Sequence, residues 1–170
     1  MPRLKIELVY MQIAYQFAKL SYAERRKVGC VIVKDKQVIS FGYNGMPHGF
    51  DNECETVQKQ HYESDHDYEL LTNQGWDCDT EEDCTCHKLV TKREVLHAES
   101  NAITKVAKST MSCEGAELYT TTCPCFDCAK LIIQAGISKV YYSESYRDES
   151  GIKLLKKANI NVKKIICCKN

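Results

Sequence analysis

The sequence lacks a net charge, a long apolar segment and more than one tryptophan. Lys plus Arg and Asp plus Glu each number 23. Because no apolar run is long enough to cross a bilayer, and the first residues carry no signal-peptide hydrophobic region, we expect no membrane partner. Binding of single-stranded nucleic acid requires a basic, aromatic-lined groove. A neutral chain with one tryptophan gives little sign of such a groove, so we expect no stable nucleic-acid partner.

Cysteine, by contrast, is abundant, with eleven among 170 residues. The count is odd, the cysteines cluster as Cys-x-x-Cys and Cys-x-Cys, and no signal peptide is evident. This usage is typical of metal-binding thiols in a reducing compartment rather than of a disulfide framework. We therefore expect a cytoplasmic protein, located in the host cytoplasm if the source is viral.

The charge is unevenly distributed along the chain. Residues 51–87 contain twelve Asp or Glu and one Lys, so this segment carries −11 and the remainder +11. A basic body suits an anionic, phosphorylated ligand. The acidic segment itself is predicted to be a solvated loop.

The spacing of apolar residues predicts a single α/β domain over residues 1–170. Helices are predicted at residues 4–20, 94–109, 124–134 and 151–158, and strands at 28–34, 38–43, 116–122, 138–143 and 161–168. Late alternation of strands and helices implies parallel pairing with right-handed crossovers. We expect three α-β-α layers, with a mixed five-stranded sheet and helices on both faces. Residues 51–91 show no sustained apolar period, which predicts an acidic insertion that is functional or disordered.

Two short motifs carry the chemistry. Cys125 and Cys128 form a Pro-Cys-x-x-Cys motif between a strand-like and a helix-like run. Alone, this pair fits a zinc half-site, a redox dithiol or two buried cysteines. About 25 residues upstream lies His97-Ala98-Glu99, and one imidazole with two thiolates leaves the fourth zinc position open for water. The joint pattern is the signature of zinc nucleobase deaminases, with Glu99 as the acid–base residue. The alternative is a structural Cys₂His zinc site with an incidental glutamate.

The insertion contains further soft metal ligands. A second, structural zinc would order such a polar segment without a hydrophobic core. The competing interpretation is a set of free thiols in a mobile insertion. The candidate ligands are Cys54, Cys84, Cys86 and His87.

Four stretches resemble the cytidine deaminase superfamily, and among its branches the deoxycytidylate (dCMP) deaminases. They are Gly-Tyr-Asn-Gly-Met-Pro at residues 42–47, His-Ala-Glu-Ser-Asn-Ala-Ile at 97–103, Pro-Cys-Phe-Asp-Cys-Ala-Lys at 124–130 and Leu-Ile-Ile-Gln-Ala-Gly-Ile at 131–137. The resemblance implies hydrolytic deamination of dCMP to dUMP, which feeds thymidylate synthesis. It also implies a homohexamer that is activated by dCTP with Mg²⁺ and inhibited by dTTP.

The same resemblance implies roles for individual residues. His97, Cys125 and Cys128 match the zinc ligands, and Glu99 matches the proton shuttle. Asn44 and Tyr146 match residues that bind the substrate. The residues that resemble the regulatory-triphosphate region are Lys27, Gly42, Tyr43, Gly45, Met46, Pro47 and His48.

The sequence departs from the family pattern at three positions. Ser100 replaces the usual branched apolar residue after His-Ala-Glu. Ala23 and Val95 stand where some phage relatives carry a cysteine and a glutamate for a second zinc. A second zinc would therefore need other ligands, most plausibly from the insertion.

The residues that hold a 5′-phosphate are less well defined by the sequence. The basic cluster at residues 25–27 fits either a solvated turn or a phosphate site. Single candidates by charge and position are Lys27, Lys108, Lys130 and Arg147.

Three other functions compete with dCMP deamination. One is deamination of a free nucleoside, of tRNA adenosine or of single-stranded nucleic acid. Another is a catalytically silent zinc protein that senses nucleotides, in which Glu99 would be dispensable. The third, a dithiol oxidoreductase built on Cys125 and Cys128, leaves His97 and Glu99 unexplained.

Overall fold

The structure is a computed structural model, and it describes residues 5–78, 84–146 and 148–166. These residues form two separate β-sheets. The helices are α1 (Ile6–Ala18), α2 (Asp65–Asn73), α3 (Ala98–Ala107), α4 (Phe126–Gln134) and α5 (Ser150–Lys157). The strands are β1 (Gly29–Lys34), β2 (Gln37–Tyr43), β3 (Glu55–His61), β4 (Asp77–Cys78), β5 (Thr85–Thr91), β6 (Glu117–Thr122), β7 (Lys139–Glu144) and β8 (Asn161–Lys164). None of the helices in these ranges has the length and apolarity that a bilayer crossing requires.

The larger sheet has five strands in the order β2-β1-β6-β7-β8. Strand β1 runs antiparallel to both β2 and β6, whereas β6, β7 and β8 are parallel to one another. The mixed five-stranded sheet predicted from the sequence is therefore confirmed. Because β6 and β7 are parallel, their carboxyl ends lie at one edge of the sheet, where ligands of open α/β sheets commonly bind.

Both faces of this sheet are covered by helices. In β1, Cys30 and Ile32 point into a core shared with α3, α4 and α5. Val31 and Val33 point the other way, into a core shared with α1. Successive strand residues face opposite sides, so this alternation produces the predicted three-layer arrangement. All four side chains are at most 2% exposed.

Two glycines allow helices to approach the sheet closely. A Cβ atom at Gly29 would overlap the backbone of α1 at Ala14, and one at Gly42 would overlap the backbone of α3 at Ala98. Gly42 belongs to the stretch that resembles the regulatory region of dCMP deaminases. In the structure its missing side chain serves the contact between β2 and α3.

The described part of the insertion is folded, which corrects the expectation of a solvated or disordered loop. Its three strands form a second sheet in the order β3-β5-β4. Strands β3 and β5 pair along their full length, from Glu55 opposite Thr91 to His61 opposite Thr85. Helix α2 begins after Ser64, whose hydroxyl oxygen accepts the Asp67 N–H. Pairing between distant segments organises this region, so a local apolar period was not needed.

The cysteines of the insertion do not assemble into the predicted second zinc site. Cys86 forms a disulfide with Cys78, where free or metal-bound thiols were expected. Cys54 is buried beside Ala23 at the base of the sheet. Cys54 is hydrogen-bonded to Lys92, which is six residues along the chain from Cys86. At the rise of a β-strand, Cys54 is therefore about 20 Å from Cys86, too far for both to bind one ion. Cys84 is exposed, and His87 follows Cys86 along β5, where consecutive side chains face opposite sides.

Several predicted element ends shift by a few residues. Helix α3 begins at Ala98 rather than at residue 94, because Leu96 is held extended by a two-way backbone pairing with Gly45. Helix α4 begins at Phe126 because Cys125 occupies the capping position before it. The last strand ends at Lys164, and residues 167 and 168, included in the predicted strand, lie outside the described part of the chain.

Candidate active site

Two helix N-termini bring the three predicted metal ligands together. His97 directly precedes α3, Cys125 directly precedes α4, and Cys128 lies in the first turn of α4. The His97 Nδ1 atom is 3.4 Å from the Sγ atoms of both Cys125 and Cys128. Ordinary Zn–N and Zn–S bonds in a tetrahedral site require about 3.6 Å between such donors. The donor set therefore fits zinc, and in the described ranges it is the one cluster of three or more potential ligands.

The local backbone favours the ionised form of Cys125. Its sulfur accepts the Cys128 N–H at 3.5 Å, at the start of a helix whose dipole favours negative charge. The hydrogen bond from the Cys128 thiol, reinforced by His97, lowers the pKa of Cys125 to about 4. A thiolate is the form in which cysteine binds a metal.

Glu99 lies in the first turn of α3 and is 3% exposed. Burial raises the pKa of this carboxyl group, although the hydrogen bond from Thr120 works in the opposite direction. The Thr120 hydroxyl donates to Glu99 Oε1 at 2.9 Å. A carboxyl group with a raised pKa, held in one orientation, is suited to moving a proton rather than to ligating a cation.

A cavity of about 400 Å³ connects these groups. His97, Glu99 and Cys125 all line it, so the candidate metal site and the acid–base residue face one space. The volume lies within the usual range of about 300–1,000 Å³ for small-molecule sites. The arrangement can therefore bind a nucleotide-sized molecule with one end at the donor cluster.

Asn44 also lines the cavity, as the sequence analysis anticipated. Its side-chain nitrogen donates to the Arg26 carbonyl at 2.8 Å, and its side-chain oxygen accepts the Val28 N–H at 2.8 Å. Both ends of the amide are thus engaged by the backbone of residues 26–28. In this structure Asn44 shapes the wall of the cavity by fixing that segment.

Tyr146 lies at the cavity beside Arg26. The Arg26 guanidinium carbon lies 5.6 Å from the centre of the Tyr146 ring, and a guanidinium nitrogen forms a 2.8 Å ion pair with Glu144. The Tyr146 N–H donates to the buried sulfur of Cys123 at 3.1 Å. These contacts hold the tyrosine and the arginine together at one side of the cavity.

The cations that face the cavity are Arg25 and Arg26, from the basic cluster noted in the sequence. Of the single phosphate candidates, Lys27, Lys108 and Lys130 are absent from the described lining, and Lys130 pairs with Asp127 on α4 at 2.7 Å. Arg147 lies outside the described residues. The sequence therefore located the cluster but did not distinguish which of its side chains turn inward.

Glu55 and Thr91 line the cavity as well, although neither was predicted as a site residue from the sequence. They are cross-strand partners at the base of the second sheet. The β-branched residues around Leu89 could have predicted strand β5. No local feature, however, indicated that this strand ends at the cavity.

The loop that resembles a regulatory site has mixed surroundings. Gly42 is buried, Tyr43 and Met46 are half-buried, and His48 is exposed. Gly45 exchanges backbone hydrogen bonds with Leu96, directly before His97. The remaining members of the predicted set are Pro47, which is half-buried, and Lys27, which is exposed.

The sequence is similar to deaminases of cytidine and deoxycytidylate. Residues 5–144 match the model of the cytidine and deoxycytidylate deaminase zinc-binding region. The chain is 37% identical over 155 residues to the deoxycytidylate deaminase of Saccharomyces cerevisiae, covering 91% of this chain and 43% of that protein. It is 35% identical over 147 residues to the deoxycytidylate deaminase of Enterobacteria phage T4, covering 80% and 76%, respectively. The chain thus spans less than half the length of the yeast relative.

A solved structure with ligands also resembles this fold. The dCMP deaminase of cyanophage S-TIM5, in complex with dCMP and dUMP, superposes with a TM-score of 0.73 at 35% identity. The match covers 97% of this chain and 100% of that chain. The likeness therefore includes the second sheet as well as the five-stranded body.

Proposed function

The chain belongs to the cytidine and deoxycytidylate deaminase family, and on this premise we propose that it converts dCMP and water to dUMP and ammonia. One observation carries the proposal. One cavity of nucleotide size is lined by Glu99 and by His97 and Cys125, which form the donor cluster together with Cys128. The product dUMP would supply thymidylate synthesis.

The zinc site and Glu99 have different roles in the proposed reaction. Zinc held by His97, Cys125 and Cys128 would supply a Lewis acid and lower the pKa of a water molecule to about 7. Glu99 accepts a proton from the attacking water and passes it to N3 of the cytosine ring. The water oxygen forms a bond to C4 of cytosine.

The second half of the reaction releases the amine. Glu99 delivers a further proton, taken from the newly attached hydroxyl group, to the amino nitrogen on C4. The C4–N bond then breaks, ammonia leaves, and the water oxygen stays on C4 as the carbonyl of dUMP. Glu99 ends in its initial protonation state. Its raised pKa suits this role, because the group must hold a proton briefly before releasing it.

Arg25 and Arg26 are the side chains that we assign to the 5′-phosphate. Guanidinium groups bind phosphate oxygens with two parallel hydrogen bonds, and these two arginines line the cavity. Asn44 and Tyr146 complete the substrate site. Asn44 does so through the backbone that it fixes, and Tyr146 through its ring beside Arg26.

Regulation and assembly follow from the family resemblance. In this proposal dCTP with Mg²⁺ activates the protein, dTTP inhibits it, and a homohexamer acts in the cytoplasm. The pairing of Gly45 with Leu96 supports a regulatory role for the loop at residues 42–48, because it joins the loop to the segment that carries His97. A ligand that moves the loop would therefore act directly on a metal ligand.

Ammonia release from dCMP, deoxycytidine and dCTP tests the proposal, each measured alone and with dCTP–Mg²⁺ or dTTP as the effector. We expect turnover of dCMP to exceed that of deoxycytidine, with activation by dCTP and inhibition by dTTP. Turnover without an effector response would retain the chemistry and remove the regulatory assignment. No ammonia from any of the three, with the metal-loaded protein, would refute the assignment as a dCMP deaminase.

A further inference from the structure

The base of the second sheet forms part of the cavity wall. Glu55 is the first residue of β3, Thr91 is the last residue of β5, and the two pair across the strands. Both line the same cavity as Glu99. The insertion is therefore not a remote appendage, since its two chain ends meet at the proposed substrate site.

The base of the second sheet, where β3 begins and β5 ends, packs against the five-stranded body. The Cys54 side chain is buried with Ala23, Val95 and Met46, in a small apolar cluster. The Cys54 carbonyl accepts the Lys92 N–H at 2.9 Å, which continues the pairing beyond the end of β5. Residues at the base therefore have fixed positions relative to the segment at residues 23–28, which carries both arginines.

The insertion contacts both the backbone and the side chain of Arg25. The Glu55 carboxylate accepts the backbone N–H groups of Glu24 at 3.2 Å and Arg25 at 3.4 Å. The Arg25 Nη1 atom donates to the Thr91 hydroxyl oxygen at 3.1 Å. One contact sets the backbone of the turn and the other sets the direction of the side chain.

The neighbouring arginine is held differently. Arg26 forms its ion pair with Glu144 of the main sheet and lies beside the ring of Tyr146. The two cations of the cavity thus have separate supports. The five-stranded body orients Arg26, and the insertion orients Arg25.

We propose that Thr91 and Glu55 are positioning residues that aim Arg25 at the 5′-phosphate, so that the insertion determines how strongly a nucleotide is preferred over a nucleoside. This inference rests on the proposed function. An exposed arginine samples many rotamers, and a fixed acceptor on its guanidinium reduces the entropy lost when it binds phosphate. The effect should reside in the KM for phosphorylated substrates, because this proposal assigns Arg25 to the phosphate and gives it no role at the reacting carbon.

The test compares kcat and KM for dCMP and deoxycytidine in the zinc-loaded full chain. In Thr91→Val, which keeps the shape and removes the acceptor, we expect KM for dCMP to rise about three- to tenfold, with kcat changed less than twofold. The ratio of kcat/KM for dCMP over deoxycytidine should fall by the same factor. Thr91→Ser, which retains the hydroxyl group, should restore most of the ratio. Thr56→Val is the matched control on β3, outside the cavity lining.

A double-mutant cycle separates positioning from a direct contact. If Thr91 acts through Arg25, adding Thr91→Val to Arg25→Ala should produce no further loss of the dCMP preference. An unchanged KM in Thr91→Val, or an equal loss for both substrates, would overturn the inference while leaving dCMP deamination intact. A wild-type chain with no preference for dCMP would overturn the phosphate assignment and this inference together.

Discussion

The two sheets of the molecule differ in how they are covered and in what they contribute to the cavity. In the five-stranded sheet, β1 and β6 are almost wholly buried between helices. In the three-stranded sheet, β3 is exposed along nearly its whole length, and Cys86 is the buried side chain of β5. The first sheet and the helices that cover it supply buried, preorganised groups such as Thr120 of β6 and Glu99 of α3. The second sheet supplies the polar residues Glu55 and Thr91 to the lining of the cavity. In the proposed function, catalysis thus depends on the buried layer, and the preference for a nucleotide depends partly on the exposed one.

The largest effect that would sharpen this contrast is expected from Glu99→Gln. The variant keeps the shape of the side chain and removes its capacity to accept a proton, so kcat should fall by about 10³-fold or more. Zinc content should stay at the wild-type level, because Glu99 is not part of the donor cluster. Metal analysis and ammonia release measure the two properties on one sample. Near-wild-type turnover would remove Glu99 from the mechanism.

A pair of leucine truncations tests whether the two sheets unfold separately. Leu118 of β6 is 0% exposed in the main core, and Leu71 of α2 is 3% exposed in the insertion. Leu118→Ala should lower the free energy of unfolding of the whole chain by about 2–5 kcal/mol. Leu71→Ala should mainly speed local opening of residues 55–91.

Amide hydrogen exchange distinguishes these outcomes residue by residue. Faster exchange in Leu71→Ala should be confined to the insertion, whereas Leu118→Ala should affect both sheets. If Leu71→Ala also speeds exchange throughout β1 and β6, the two sheets form one cooperative unit.

The smallest effect concerns one ion pair from each region. Lys139 pairs with Glu117 at 2.7 Å between β7 and β6. Glu53, which lies in the insertion and has a side chain that is 82% exposed, pairs with Lys92 at 3.5 Å. Glu117→Gln should cost about 0.5 kcal/mol at neutral pH, because both partners of the pair are partly solvated. Glu53→Gln should cost nothing measurable.

The pH dependence of this difference follows from the pKa of Glu117. Burial opposes ionisation of Glu117, but hydrogen bonds from Lys139 and Tyr119 outweigh it and hold the pKa below its ordinary value of 4.5. A lowered carboxyl pKa adds stability above the unfolded-state value, and this contribution is lost as pH falls through the folded-state pKa. Denaturant titrations at neutral pH and below pH 4.5 should therefore show the Glu117→Gln effect shrinking in acid. An effect of equal size at both pH values would show that it does not arise from ionisation.

Much of the five-stranded body was predictable because its signals are local. The β-branched run at β1 and the small residues of α3 each indicate their own element. The order of these elements then implies parallel pairing of β6, β7 and β8. The second sheet was not predictable in the same way. Strands β3 and β5 pair across more than twenty residues of polar chain, and few of their side chains are buried. The disulfide between Cys78 and Cys86 joins directly opposite residues of β4 and β5, a second pairing that no local pattern indicated.

The local sequence was enough to predict the chemistry that we propose. Two short motifs at helix starts contain His97, Glu99, Cys125 and Cys128, and their residue types and spacing predict metal ligands and a proton carrier. The cations that line the cavity, and the groups that hold them, became known only from the folded chain. Arg25 meets Thr91 across 66 residues of chain, and Asn44 fixes the backbone of Arg26 from another strand end. The direction of a side chain depends on partners that are distant in sequence, so no local pattern encodes it.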